Sequence, residues 1–241
     1  MPNSLITVVI PVKDEDQEIV DKLIGSLKVY NYAYIIVDDG SKIPVKGAAI
    51  RHPVSLGYGK SIKDGVQKAS SDLVATMDGD GQHNVWDIKR LEDFFLYFHD
   101  NRKETRLCGY RNPDMVVGNR RLREKTIKRF LGRKMLNWMA SLFAGKFLPD
   151  LNSGMRIFKR EIAISYEPIL CDGFSYTTSL TLAMCADGYY VDWLPIKVWP
   201  RTKGESKVRL FRDGWVTLRT ILWIGLALRT RKIREWLRSL R

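Results

Sequence analysis

Apolar runs and polar breaks alternate along this 241-residue chain with the periods of strands and helices. Leu5 to Val12 (LITVVIPV) is continuous, β-branched and apolar, the pattern of a strand buried on both faces. Three acids follow, Asp14, Glu15 and Asp16, and then Ile19, Leu23, Ile24 and Leu27 recur at helical spacing. Ala33 to Val37 (AYIIV) predicts a second strand, which ends in Asp38-Asp39-Gly40-Ser41. Strand, helix, strand implies a right-handed parallel crossover, with both acid-bearing strand ends at one edge of the sheet. Ala48 to His52 predicts a third strand, and Gly57-Tyr-Gly-Lys-Ser61 opens a helix that runs through Ala69.

The fourth strand, Leu73 to Met77, stops abruptly in Asp78-Gly79-Asp80-Gly81. A helix follows at once, with Asn84 as its N-cap and Val85, Ile88, Leu91 and Phe95 on one face. Met115 to Asn119 reads as a strand that meets Arg120-Arg121. A basic stretch from Arg123 to Lys134 then runs into Met135, Leu136, Trp138, Met139, Leu142 and Phe143. Asp150 to Arg156 is a loop, Phe174 to Ala186 a buried helix without an acid, and Val191 to Trp199 a strand. Arg201 to Lys207 is a polar, basic loop. The succession predicts an α/β protein with a Rossmann-like, mostly parallel sheet flanked by helices.

Two carboxylates at the mouth of a buried strand are costly unless a cation sits between them. Side chains two apart on a strand share a face, so Asp78 and Asp80 are expected side by side, and the glycines leave room for a bulky ligand. An Asp-Gly pair after a strand is also an ordinary turn. The chemistry that suits the pair is a Mg²⁺ or Mn²⁺ clamp, because these ions take one or two carboxylates and complete their shell with phosphates. An EF-hand is excluded, since its fifth and sixth loop positions fall on Gln82 and His83. Gly59-Lys60-Ser61 is not a P-loop, because Val54 stands where its first glycine is needed, and Ile62 breaks the dinucleotide fingerprint. That helix start still offers backbone N–H groups to a ligand.

Length and 45% hydrophobic residues suit one large α/β domain and exclude disorder. Cys108, Cys171 and Cys185 form no C-x-x-C pair, which points to free or buried thiols in a reducing compartment. The first residues pass straight into a strand without a signal peptide, and no window of about 18 uncharged apolar residues predicts a membrane span. The net charge is +13, and from Lys197 to Arg241 there are 13 basic residues against Glu205, Asp213 and Glu235, so +10 of it lies in that segment. Such asymmetry implies an anionic partner. Trp215 to Leu228 is too short to span a bilayer and carries Arg219, so with Arg229 to Arg241 it reads as a basic amphipathic helix at a membrane interface. Packing of that helix on the catalytic domain or on a small membrane subunit is the alternative. Nucleic acid is disfavoured, because the tail interleaves Arg with aliphatics instead of stacking aromatics.

Five motifs occur in an order that resembles the family 2 glycosyltransferases. They are Val8-Val-Ile-Pro-Val-Lys-Asp-Glu15, Val37-Asp-Asp-Gly-Ser41, Met77-Asp-Gly-Asp-Gly-Gln-His83, Asn152-Ser-Gly-Met-Arg156 and Arg201-x-x-Gly-x-Ser-Lys207. Within that family they are most similar to the dolichyl- or polyprenyl-phosphate sugar synthases. The resemblance implies a GT-A domain over 1–210 with an interfacial tail over 211–241, and a nucleotide-sugar donor carrying GDP or UDP. It implies nucleoside contacts from Pro11, Glu15, Asp38 and Asp39, with Gly79 beside the donor. Asp78, Asp80 and Gln82 would hold the metal and diphosphate. Arg120, Arg156, Arg201, Ser206 and Lys207 would gather phosphates, with Arg129 and Arg133 at the acceptor phosphate. Asp14 replaces the family's usual Asn, Lys42-Ile43 an acid-bearing run, and Asn84 a common Pro.

A phosphate monoester is largely ionised at neutral pH, its second pKa being about 6, so it attacks a sugar carbon without a general base. A glycan hydroxyl wants a positioned carboxylate. The acid-free Phe174–Ala186 segment therefore favours a polyprenyl or dolichyl phosphate acceptor, reached from the cytosolic face of a membrane. An inverting transferase acting on a glycan hydroxyl is the alternative, with Asp150 and Asp172 as the candidate bases.

Overall fold

A computed structural model describes residues 5–100, 112–120, 127–200 and 214–227. Seven strands form one sheet in the order β3-β2-β1-β4-β6-β5-β7. They are β1 (Ile6–Val12), β2 (Ala33–Asp38), β3 (Ile50–Arg51), β4 (Leu73–Thr76), β5 (Met115–Asn119), β6 (Arg156–Lys159) and β7 (Val191–Pro195). β1 lies parallel between β2 and β4, with Val12 opposite Asp38 and Val9 opposite Thr76. β6 runs antiparallel to both β4 and β5, with Arg156 facing Thr76 on one side and Val117 on the other. The expected sheet is thus mostly parallel, as the pattern predicts, and its one reversed strand falls at the end of the segment read as a loop.

Helices cover both faces. α1 (Gln17–Val29) and α3 (Val85–Asp100) pack on one side, where Val20, Leu27, Ile88 and Leu91 meet Val8, Ile10 and Ala75. On the other side lie α2 (Tyr58–Lys68), α4 (Ile127–Ala144), α5 (Arg160–Tyr166), α6 (Tyr176–Ala186) and α7 (214–227). There Ile62, Val66, Leu180 and Ile221 meet Val9, Val37 and Val117. α6 is buried along Tyr176–Cys185 and carries no charged residue there, its polar groups being the hydroxyls of Tyr176, Thr177, Thr178, Ser179 and Thr181. Asp16 caps α1 by accepting from the Glu18 N–H at 2.9 Å, and Asn84 caps α3 by accepting from the Trp86 N–H at 2.9 Å.

Two short elements have no counterpart in the periodicity. β6 has four residues and α5 seven, too few for an alternation or a helical stripe to be counted. α7 packs by one face, placing Ile221 and Ile224 in the same core as α2 and α6. No helix among the described residues is long and apolar enough to cross a membrane. Cys171 and Cys185 are free thiols.

Candidate active site

Reversal of β6 brings its amino end to the edge where β1, β2, β4, β5 and β7 present their carboxyl ends. The chain moves outward from β1 to β2 and β3 on one side and continues with β4 on the other, so the switch point lies between β1 and β4. Open α/β sheets bind ligands at such a point. A cavity of about 510 Å³ occupies it, lined by Pro11, Lys13, Glu15, Asp39, Tyr58, Asp78, Gly79, Asp80, Gln82, Arg120, Asn152, Gly154, Phe174 and Thr177.

Both acids of the Asp-Gly-Asp turn reach the cavity, but not by strand alternation, because β4 closes at Thr76. Asp78 is boxed in. The Tyr58 hydroxyl donates to its Oδ1 at 2.8 Å, and His83 Nε2 lies 3.6 Å from Oδ2. The Gly154 Cα presses so close that a Cβ there would overlap both carboxylate oxygens. The Gly154 carbonyl accepts from Thr76 Oγ1 at 2.6 Å, which ties that loop to β4. Burial pushes the Asp78 carboxyl up, yet His83, the Tyr58 hydroxyl and the Arg120 charge outweigh it and hold the group below the usual carboxylate range. Burial and the Asp78 charge raise the Tyr58 phenol, so it remains a donor. Asp80 is buried, and its Oδ1 accepts from the Gln82 N–H at 3.0 Å.

The two acids after β2 take different places. Asp38 is wholly buried and lies off the cavity, paired with Arg51 at 2.7 Å and accepting from the Ser41 and Val45 N–H groups. That environment makes it a brace for the turn, which differs from the expected nucleoside contact. Asp39 does line the cavity. It accepts from Ser55 Oγ at 2.7 Å and from the Leu56 and Gly57 N–H groups, while His52 Nδ1 lies 2.9 Å away. Burial raises the Asp39 carboxyl, and these donors bring it below its ordinary value. Asp14 adopts φ 48°, a left-handed conformation that Asn and Asp tolerate best, and its Oδ1 accepts from the Lys42 N–H. Asp14 and Lys42, two of the positions that depart from the family pattern, thus hold the same turn.

Arg120 stands at the opposite end of the cavity in a two-pronged pair with Asp150, Nε to Oδ2 at 2.9 Å and Nη2 to Oδ1 at 3.0 Å. Burial lowers the Arg120 pKa, and the Asp150 partnership more than reverses that. Asp150 is thereby held below the usual carboxylate range, and with both oxygens engaged by Arg120 it is a weaker proton acceptor than a free carboxylate. Asp172 is bound by Lys63 at 2.7 Å and does not line the cavity.

Arg156 differs from expectation. It is wholly buried, and its guanidinium donates to the carbonyls of Leu151, Ser153 and Thr177 and to Thr181 Oγ1. Burial among these neutral acceptors lowers its pKa to about 10. It joins the 150–155 loop to α6 and has no face toward the cavity. Gln82 lines the cavity while its amide nitrogen donates to the Trp199 carbonyl at 3.1 Å. Arg201, Ser206 and Lys207 lie outside the described residues, as do the side chains of Arg129 and Arg133 on α4. Lys13, Tyr58, His83, Asn152, Gly154, Phe174 and Thr177 are site residues to which sequence reasoning gave no individual role. Gly57-Tyr-Gly was the available signal, but two of the backbone N–H groups at this helix start are already committed within the protein. The Gly57 N–H is taken by Asp39 and the Lys60 N–H by the Asp172 carbonyl.

Among the described residues no three His, Cys, Asp or Glu converge as a metal-holding group. Asp78 and Asp80 supply a partial, hard-oxygen shell in the cavity wall. That donor set fits Mg²⁺ or Mn²⁺ bound together with a diphosphate.

An open sheet with paired acids over its switch point belongs to the class of α/β proteins that bind nucleotides beyond the strand ends. Residues 7–166 match the family model described as glycosyl transferase family 2, and the chain belongs to that family. It is 25% identical over 188 residues to the UDP-N-acetylglucosamine–dolichyl-phosphate N-acetylglucosaminyltransferase of Methanococcus voltae, covering 66% of this chain and 71% of that one. It is 27% identical to the undecaprenyl-phosphate 4-deoxy-4-formamido-L-arabinose transferase of Yersinia pestis, covering 75% of this chain and 60% of that one. An uncharacterized protein of Methanocaldococcus jannaschii is 30% identical, over 66% of each chain. The fold is that of glucosyl-3-phosphoglycerate synthase from Mycobacterium tuberculosis, solved with Mn²⁺, UDP and phosphoglyceric acid. That likeness has a TM-score of 0.67 at 16% identity and covers 91% of this chain and 78% of that one. The domain is therefore GT-A, and the chain is a glycosyltransferase.

Proposed function

We propose that the chain moves a sugar, with inversion, from a GDP- or UDP-sugar to a polyprenyl or dolichyl phosphate, in a reaction that needs Mg²⁺ or Mn²⁺. The observation that carries this reading is the neutral wall of the cavity on the α6 side. Asn152, Gly154, Phe174 and Thr177 form it, and neither Asp150 nor Asp172 offers a free carboxylate there. An acceptor hydroxyl would find no base on that wall, whereas a phosphate monoester arrives already ionised. The Methanococcus and Yersinia relatives are named for dolichyl-phosphate and undecaprenyl-phosphate, which supports the same class of acceptor.

Asp78 and Asp80 would hold the ion, and the ion when bound would stabilise the negative charge of the departing nucleoside diphosphate. Pro11, Glu15 and the Asp39-ordered loop at Ser55–Gly57 bound the donor at the β1–β2 end. Arg120 lies at the β5 end, where it offsets repulsion between two anionic substrates. Arg201, Ser206 and Lys207 belong to this reading as additional phosphate contacts, by their match to the family motif.

The membrane part of the proposal is supported by two helices. α7 buries Ile221 and Ile224 but leaves Trp215, Val216, Leu222, Trp223 and Leu226 exposed, with Arg219 as the one charge on that face. Met135, Trp138 and Leu142 are exposed on α4, and the Phe143 ring lies against Gly225 of α7. An apolar face of this kind, on a strongly basic chain, suits peripheral docking on an anionic bilayer. The buried Thr217 and Thr220 of α7 meet Ser175 and Cys171 beside the cavity, so the helix whose outer face is apolar packs by its inner face next to the acceptor wall. The test is a panel of radiolabelled GDP- and UDP-sugars with polyprenyl phosphate and Mn²⁺. Label extracted into organic solvent with one donor, and lost in Asp80→Ala, is expected; label that stays aqueous with every donor rules out the lipid acceptor.

A further inference from the structure

The Gly57-Tyr58-Gly59 start of α2 is too closely packed to be an idle helix end. Gly57 has φ 110°, and a Cβ on it would lie 2.6 Å from the Asp172 carbonyl oxygen. Gly59 abuts the Cys171 carbonyl and the Tyr176 side chain with no room for one. Two glycines thus let the helix start sit hard against the 171–176 segment, and the residue between them projects into the cavity. Its hydroxyl ends 2.8 Å from Asp78 Oδ1. The ring is held in turn by Phe174, centroid to centroid at 6.2 Å.

From this geometry we infer that Tyr58 is a positioning residue, which sets the rotation of the Asp78 carboxylate and so presents it to a divalent ion. The inference rests on the metal-dependent reading above. A carboxylate on a short side chain can turn about its last bond, and each turn moves its lone pairs away from a fixed ligand position. Gly154 leaves Asp78 space but supplies no donor to it, and His83 stands at 3.6 Å, beyond a normal hydrogen bond. The Tyr58 hydroxyl is therefore the close donor that fixes which oxygen is committed to the protein and which is presented to the ion. Partners that orient metal ligands in this way change metal affinity by about 10–100-fold when removed.

The test uses Tyr58→Phe, which deletes the hydroxyl and keeps the ring against Phe174. Mn²⁺ binding is followed by electron paramagnetic resonance on the intact protein, with UDP and with GDP present, and the melting temperature is measured alongside. About tenfold weaker Mn²⁺ binding at an unchanged melting temperature is expected. Asp78→Asn is measured alone and combined with Tyr58→Phe. If Tyr58 acts through Asp78, the second substitution adds nothing further, whereas a purely structural loss would add in full. Mn²⁺ bound as tightly by Tyr58→Phe as by the parent overturns the inference and leaves the metal-dependent reading intact. A parent protein that binds no Mn²⁺ with either nucleotide overturns both. Should Tyr58→Phe not fold, Phe174→Leu, which loosens the ring and keeps the hydroxyl, must weaken Mn²⁺ binding; unchanged binding there overturns the inference.

Discussion

Gly154 lies against Asp78 so closely that any side chain at that position would have to displace the carboxylate. A Cβ would overlap both carboxylate oxygens, and the Gly154 carbonyl is fixed by Thr76 Oγ1, so the loop cannot step back. Gly154→Ala is therefore expected to turn Asp78 away from the cavity. A displacement near 1 Å at a reacting centre costs about a hundredfold in rate. Stability should also fall, by about 1–3 kcal/mol, because the displaced carboxylate gives up the Tyr58 hydrogen bond. Metal-dependent sugar transfer and thermal melting check the two halves, and full activity in the alanine variant would contradict the packing described.

Arg120 and Asp150 predict an acid limit to stability. Asp150 carries a depressed pKa in the folded chain, so its contribution is complete above the unfolded value of about 4 and is lost as pH falls through the folded one. Asp150→Asn strands a largely buried guanidinium and should cost about 3–5 kcal/mol at pH 7. The gap between parent and variant should narrow as pH drops below about 4. Urea unfolding at pH 7 and pH 3 measures it; a gap independent of pH would remove the pair from the account.

Arg156 should behave as a core residue. Arg156→Lys leaves several of its buried oxygen acceptors without a donor, at about 1–3 kcal/mol for each orphan. A lower melting temperature with an unchanged KM for the phosphate acceptor is expected. A raised acceptor KM at an unchanged melting temperature would return Arg156 to the phosphate site.

The two faces of α7 should separate cleanly. Trp223 and Leu226 are 59% and 60% exposed, whereas Ile221 is fully buried. Replacing Trp223 and Leu226 together by Glu should abolish flotation with anionic liposomes and leave melting almost unchanged. Ile221→Glu should destabilise by several kcal/mol, since it buries an unpaired charge. Equal loss of folding from both changes would mean that the outer face is packed as well.

The strands that carry long apolar runs were plain in the sequence, and Met115–Asn119 was bounded to the residue. So were the acids that line the cavity, because a carboxylate at the end of a buried strand is conspicuous against its neighbours. What stayed hidden depends on contacts between distant segments. Arg156 carries the same letter whether it faces a phosphate or four neutral oxygens, and only the packing of α6 over it decides. Tyr58 and Gly154 approach Asp78 from segments about twenty and about eighty residues away, a closeness that no local periodicity encodes. Asp38 and Asp39 are adjacent in sequence, and the twist of one turn sends the first to Arg51 and the second to the cavity.

The reversed course of β6 has a consequence for how the molecule could be altered. The chain meets the reaction centre before entering this strand and leaves it at the far rim, where the Arg160 N–H bonds the Asp72 carbonyl at 2.8 Å. The turn that leads into β7 lies at the same far rim, where Gly188 closes α6 at φ 85° with open space around it. A reporter peptide spliced in after Tyr189, with Gly188 retained, should be carried without disturbing catalysis. One extra residue between Asp150 and Arg156 would shift the wall that Asp78 leans on.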